Sequence, residues 1–172
     1  MAIDATVSGS AANSYVTLAE AQAYFAGRFP STDWDDATEP HMERALLTGT
    51  KRLDRADFRG VPRYPLTGTA TGTTQALKWP RQGVTNEEGW TYLDTVIPQP
   101  IKEAQMELAY AVLSGDLSLA ASGLEQFDEA KVGPLEVKIR HQRKSGDLPE
   151  VVRRLIRPLT TGSAVTVPLW RS

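Results

Sequence analysis

The sequence has 172 residues, a formal net charge of −2, 41% hydrophobic residues and no cysteine. A chain of this length can bury roughly 70% of its unfolded surface in one core, and the lack of cysteine excludes disulfides, thiolate-held zinc, iron–sulfur clusters and a thiolate nucleophile. No apolar run approaches the ~20 residues of a membrane span, and the opening Met-Ala-Ile-Asp-Ala-Thr is unlike a signal peptide, so a soluble protein made in the cytoplasm is expected.

Charge is segregated along the chain. Residues 1–40 carry net −5, residues 41–130 net −3 and residues 131–172 net +6. Such polarity suits a basic tail for a polyanion or subunits that pair unlike faces around a ring; it is also compatible with an asymmetry of no consequence.

Residues 1–13 are small and polar and read as a loose arm. Thr17 followed by Glu20 is a capping box that opens a helix over residues 18–26, with Leu18, Ala21 and Phe25 on one face and Gly27 as a left-handed stop. Residues 30–38 read as a Pro/Ser/Asp loop plugged by Trp34. A second helix starts near Thr38-Glu39-Pro40 and buries Met42, Ala45, Leu46, Gly49, Leu53 and Ala56 out to about Asp57. Its opposite face carries Arg44, Lys51, Arg52 and Arg55. Phe58 then packs and Gly60 ends the element.

Residues 59–98 read as irregular. Thr67 to Thr74 is a low-complexity run expected to be an exposed, mobile loop, and Leu77-Lys-Trp-Pro-Arg81 a compact unit anchored by Trp79. Trp90, Tyr92, Leu93, Val96 and Ile97 form a second short apolar patch. A third helix has Pro100 in its first turn, buries Ile101, Ala104, Leu108, Ala111 and Val112, turns Lys102, Glu103 and Glu107 to water, and closes at Gly115. Leu117 to Leu124 is a weaker helical stretch. Val132, Leu135, Val137 and Ile139 predict a half-buried strand. Pro149 to Ile156 reads as a short basic helix stopped by Pro158, and residues 164–172 as an extended apolar tail. The expected fold is mainly α: a small bundle of three to four helices with a minor β element and an extended C-terminal arm. The organisation is an arm over 1–13, a helical domain over 14–130, a β segment and basic helix over 131–160, and a tail over 161–172.

No catalytic constellation emerges. The two histidines, His41 and His141, lie in no nucleophile spacing, and there is no nucleophile elbow, zinc signature, EF-hand or dinucleotide fingerprint. Residues 68–72 lack the Lys-Ser/Thr of a phosphate-binding loop. Asp33, Asp35 and Asp36 could hold a hard cation, but acids ahead of a helix more often complement its dipole as surface charge. Neither an enzyme nor a cofactor is expected. Nucleic acid is the rival reading: the basic C-terminal block could meet phosphates, and Trp79, Trp90, Tyr92 and Trp170 could stack on bases.

Three stretches in order, Ser14-Tyr-Val-Thr-Leu-Ala-Glu-Ala-Gln-Ala-Tyr-Phe25, Ala76-Leu-Lys-Trp-Pro-Arg-Gln-Gly-Val84 and Ile97-Pro-Gln-Pro-Ile-Lys-Glu-Ala-Gln-Met-Glu-Leu-Ala109, resemble a phage family labelled DnaT-like single-stranded-DNA-binding protein. Lys131-Val-Gly-Pro-Leu-Glu-Val-Lys138 and Val152-Arg-Arg-Leu-Ile-Arg-Pro-Leu159 extend the match. Its members look like head–tail connectors (adaptors) of tailed bacteriophages. The resemblance implies a helical domain, assembled as a homo-oligomeric ring of twelve beneath the portal protein in the virion. Such a ring extends the DNA channel without sequence-specific contact and joins the capsid to a distal connector, stopper or tail protein. The alternative it leaves is a single-stranded-DNA-binding replication accessory.

Two contacts are expected on the connector reading. The tail residues Val165, Val167, Leu169, Trp170 and Arg171 dock on portal or on a neighbouring subunit, the competing possibility being an edge strand beside residues 135–139. Arg44, Lys51, Arg52 and Arg55 meet Asp33, Asp35 and Asp36 between subunits, the competing possibility being an ordinary solvated helix face.

Overall fold

A computed structural model describes residues 2–69, 71–115, 129–132, 135–138 and 148–161. The fold is mainly helical. In chain order the described elements are α1 (Leu18–Ala26), α2 (Thr32–Asp35), α3 (Glu39–Leu53), β1 (Val61–Pro62), β2 (Arg81–Gln82), α4 (Gln99–Leu113), β3 (Glu129–Val132), β4 (Leu135–Lys138) and α5 (Glu150–Ile156), which runs into a 3-10 turn at Arg157–Leu159. No helix among the described residues is long and apolar enough to cross a membrane.

α1 has the expected bounds, and its capping box is complete: Thr17 Oγ1 accepts from the Glu20 N–H at 3.2 Å while Glu20 Oε2 accepts from the Thr17 N–H at 2.8 Å. The stop differs from expectation. Gly27 stays right-handed (φ −100°), because the chain continues toward Arg28, which is drawn onto α4. The expected loop over residues 30–38 contains a helical turn, α2, whose Trp34 is buried and stacks on Phe25 with ring centroids 4.2 Å apart.

α3 and α4 pack against each other at the centre of the molecule. At their crossing Gly49 brings the backbones together: a Cβ there would sit 3.0 Å from the Gln105 carbonyl oxygen and 3.3 Å from Leu108 Cβ. Gln105, fully buried, ties three segments by donating to Ser14 Oγ (2.7 Å) and the Leu46 carbonyl (3.2 Å) and accepting from the Tyr15 N–H (2.8 Å). Two apolar clusters result. One gathers Phe25, Trp34, Met42, Leu46 and Met106; the other gathers Leu53, Phe58, Trp79, Ile101, Leu108 and the α5 residues Val152 and Ile156.

α3 ends at Leu53, short of the expected Asp57, because the next carboxylate is taken up in tertiary bonds. Asp54 accepts from the Tyr15 hydroxyl and, at 3.2 Å, from the Lys78 N–H. Residues 2–13, expected as a loose arm, are tied down: the Asn13 and Ser14 N–H groups donate to the Asp4 carbonyl (2.9 and 3.1 Å), and the Ala76 N–H donates to that of Gly9 (2.9 Å).

The irregular stretch holds an antiparallel pair the sequence did not announce, with Val61 opposite Gln82 and Pro62 opposite Arg81. Arg81 is the reason. Its buried guanidinium donates to the carbonyls of Arg59 (2.7 Å), Gly60 (2.6 Å), Phe58 and Lys78 (both 3.2 Å), so one side chain satisfies four carbonyl groups of otherwise unpaired loop. Gln75 acts similarly, donating to the Leu77 and Pro80 carbonyls and accepting from the Tyr64 N–H. The run from Thr67 to Thr74 is solvent-exposed for most of its length, as expected, with its base closed by the Thr67 N–H on the Gln75 carbonyl (2.8 Å).

The single strand expected near 132–139 is a hairpin, β3 paired antiparallel with β4 and Val132 opposite Leu135. Ile139, the weak helix over 117–124, His141 and the tail from 164 lie outside the described residues.

Candidate nucleic-acid interface

The basic segment read at 149–156 forms α5, with Val152 and Ile156 turned into the core and Arg153 and Arg154 exposed. The residues that follow fold back on the end of α3. The Arg59 N–H donates to the Leu159 carbonyl and the Thr161 N–H to the Asp57 carbonyl, both at 2.8 Å, and Phe58 bridges Thr160. Between these segments lies an open groove of about 610 Å³. Ala56, Leu148 and Ile156 provide its apolar lining, Arg153, Arg154 and Arg157 its cationic wall, and Thr160 and Thr161 add hydroxyls.

Among the described residues Glu150 is the one acid lining this groove, and it is paired. Its carboxylate accepts from Arg154 Nε at 3.0 Å and from Arg153 Nη2 at 2.7 Å. The Arg154 hydrogen bond, then the Arg153 charge, hold its carboxyl below the ordinary glutamate range. Arg59 reaches the same region, its Nε donating to the Thr160 carbonyl at 3.0 Å, and Arg55 is exposed just beyond α3. Among the described residues the local balance stays positive even with the exposed Asp57 counted, in a chain that is slightly acidic.

The aromatic candidates separate cleanly. Trp79, at the heart of the Leu-Lys-Trp-Pro-Arg motif, is 2% exposed and packs edge-on against Phe58, so it cannot stack on a base. Trp90 is 75% exposed and Leu93 68%, so of the second apolar patch Ile97 is buried in the core and Tyr92 packs against it. Tyr92 is half-buried and Trp170 lies outside the described residues.

Of the residues expected to form subunit contacts, the acids precede α3 and the basic residues are spread along it and just beyond its end. Asp33, Asp35 and Asp36 are exposed at α2, ahead of α3; Arg44 and Lys51 are exposed on α3, Arg52 is half-buried near its end, and Arg55 follows it. α3 spans about 20 Å at 1.5 Å per residue, so the acids and Arg55 do not meet within one copy. The tail residues Val165, Val167, Leu169, Trp170 and Arg171 are outside the described residues. Among the described residues no three acidic or histidine side chains converge as a metal site requires.

A second polar centre lies in the core, and it is architectural. Burial first, then the Asp54 charge, push the Tyr15 phenol well above its ordinary value, so it remains a neutral donor to Asp54. Burial also raises the Asp54 carboxyl and lowers the Arg81 guanidinium. Lys78 Nζ donates to the Ala56 carbonyl at 2.8 Å. These bonds fasten the Lys78–Arg81 motif to the end of α3 and so hold one side of the groove in place.

The basic helix is visible in the sequence, its groove is not. The signal is present in the Arg153, Arg154 and Arg157 spacing; the contribution of Ala56, about a hundred positions earlier, leaves no mark in the local pattern.

The fold and the groove define a small, mainly helical protein with a cationic surface cleft. The family model described as "Putative DnaT-like ssDNA binding protein" matches residues 1–172, and the chain belongs to that family. No curated protein and no solved structure matches it.

Proposed function

We propose that the chain is a non-enzymatic DNA-binding module that holds the backbone of single-stranded DNA in the α5 groove. The reading rests on one observation: three arginines, Arg153, Arg154 and Arg157, line an open groove whose one acid among the described residues is already paired to two of them. The family description names the same ligand class. Arg guanidinium groups match phosphate geometry bidentately, and Glu150 keeps the side chains ordered until phosphate oxygens replace it. Anisotropy of a labelled oligothymidylate, titrated across salt, tests the reading. About three phosphate contacts give a log–log salt slope near −2 for a single strand. Arg153→Glu with Arg157→Glu abolishes binding, whereas Glu150→Gln strengthens it. Binding that ignores salt or survives the double reversal overturns the reading.

A second reading is favoured by exposed apolar side chains, Phe29 at 97%, Trp90 at 75%, Leu93 at 68% and Val61 at 60%. Here the chain is a head–tail connector of a tailed phage particle, a homo-oligomeric ring between portal and the next connector or tail protein. Residues 163–172 dock on portal, and Arg52 and Arg55 meet the Asp33–Asp36 acids of a neighbour. Negative-stain images of the protein mixed with portal particles decide it: annular additions support the ring, and unmodified portals exclude it. Deleting 163–172 leaves a folded domain that no longer binds portal, and charge reversal at Arg52 and Arg55 impairs ring formation.

A further inference from the structure

The hairpin at residues 84–92 is a pre-ordered, acidic, aromatic tip. Thr85 bridges Thr91, and the Tyr92 N–H donates to the Val84 carbonyl at 2.9 Å. The turn is closed by the Asn86 N–H on the Trp90 carbonyl (2.9 Å), the Trp90 N–H on Asn86 Oδ1 (2.8 Å) and the Gly89 N–H on the Asn86 carbonyl (3.1 Å), with Gly89 at φ +89°. Little conformational entropy is left to lose on binding. Glu87 and Glu88 stand exposed at the tip beside Trp90.

We propose that this tip, Glu87, Glu88 and Trp90 of one copy, seats in the α5 arginine groove of a second copy of the chain. The charges are complementary in sum: two carboxylates on a protruding turn face a groove whose described lining sets Arg153, Arg154 and Arg157 against Glu150, which pairs with the first two, beside the apolar Ala56, Leu148 and Ile156. The indole fits the apolar part of the groove and offers its face to a guanidinium. Tryptophan and arginine are the side chains that most often dominate association energy. Because Trp90 is 75% exposed within one copy, the tip does not fill its own groove. The contact therefore joins different surfaces of two molecules, a heterologous arrangement that repeats into a ring or an open chain. The proposal rests on the DNA reading only in that both occupants need the same arginines, so the tip and a nucleic acid backbone exclude one another.

Sedimentation velocity at low and high salt, over a concentration series, tests the contact. The wild type self-associates at low salt, and added oligothymidylate disperses the assemblies. Glu87→Lys with Glu88→Lys, Trp90→Ala, and Arg153→Glu with Arg157→Glu each weaken association at least about tenfold, a loss of roughly 1.4 kcal/mol. Mixing the tip reversal with the groove reversal restores it, a rescue that general misfolding cannot mimic. A wild type monomeric at all concentrations and salts, or association indifferent to the reversals, overturns the proposal. The two readings fail separately: a monomer that binds the oligonucleotide through its arginines removes the tip contact and leaves the DNA reading, and restored hetero-association without oligonucleotide binding does the reverse.

Discussion

The Arg28 guanidinium closes on the Glu107 carboxylate through two bonds, Nε to Oε1 at 2.8 Å and Nη2 to Oε2 at 2.9 Å, while its carbon lies 3.9 Å from the Tyr110 ring centroid. The Tyr24 hydroxyl donates to the same carboxylate at 2.7 Å. Helical periodicity places Glu107 on the water-facing side of α4, yet its side chain is 7% exposed. The segment after α1 covers that face and supplies the counter-charge. Removing one partner of such a pair leaves a buried charge uncompensated. Arg28→Ala is therefore expected to cost about 3 kcal/mol, and Arg28→Lys to recover only part of it because the fork geometry is lost. The midpoint of urea unfolding measures both.

Gly49 reverses an ordinary rule. Glycine to alanine inside a helix normally gains about 1 kcal/mol. At this crossing the added methyl meets the Gln105 carbonyl at 3.0 Å, and overpacking costs about 1–3 kcal/mol. Gly49→Ala should lower Tm, and calorimetry gives the sign.

Ser8 combines two penalties. Its φ is +59°, and its buried hydroxyl has no hydrogen-bond partner among the described residues. A left-handed non-glycine residue costs roughly 1–2 kcal/mol and an unpaired buried hydroxyl about 1–3 kcal/mol. Ser8→Gly relieves both against an unfolded-state entropy loss of up to ~1 kcal/mol. A net gain near 1 kcal/mol, or a rise in Tm of about 3 °C, is expected in a thermal melt.

Tyr15 sets an alkaline limit. Its folded pKa lies well above the ordinary tyrosine value of about 10, so above pH 10 the unfolded chain releases a proton that the folded chain retains. Stability is fully present below pH 10 and falls as pH rises, by about 1.4 kcal/mol per pH unit from this group. Tyr24, raised by burial and by Glu107, acts in the same direction. Denaturation at stepped pH should show this slope in the wild type and a shallower one in Tyr15→Phe. Tyr15→Phe is also less stable at neutral pH because Asp54 loses the hydroxyl donor and keeps only the Lys78 N–H among the bonds described above.

Much of the helical layout is written in local pattern. The Thr17–Glu20 box, the Pro40 and Pro100 first turns and the Met42–Leu53 spacing each depend on neighbours within four residues, and the elements they announce are present. α2 was missed because four residues carry too little periodicity, and the β1–β2 pair because it depends on Arg81 gathering carbonyls from residues 58–60.

What the sequence determined by itself was therefore local: where helices begin, which faces are apolar, and that residues 149–156 form a basic helix. Tertiary structure alone decided the fate of polar and aromatic groups, sending Glu107 inward and Trp79 into the core, leaving Trp90 in water, and setting the α5 arginines beside Ala56 at the end of α3. The reason is physical. Helix initiation is a matter of backbone groups and side chains a turn apart, whereas burial of a charge or an indole depends on which distant segment arrives to pair or cover it.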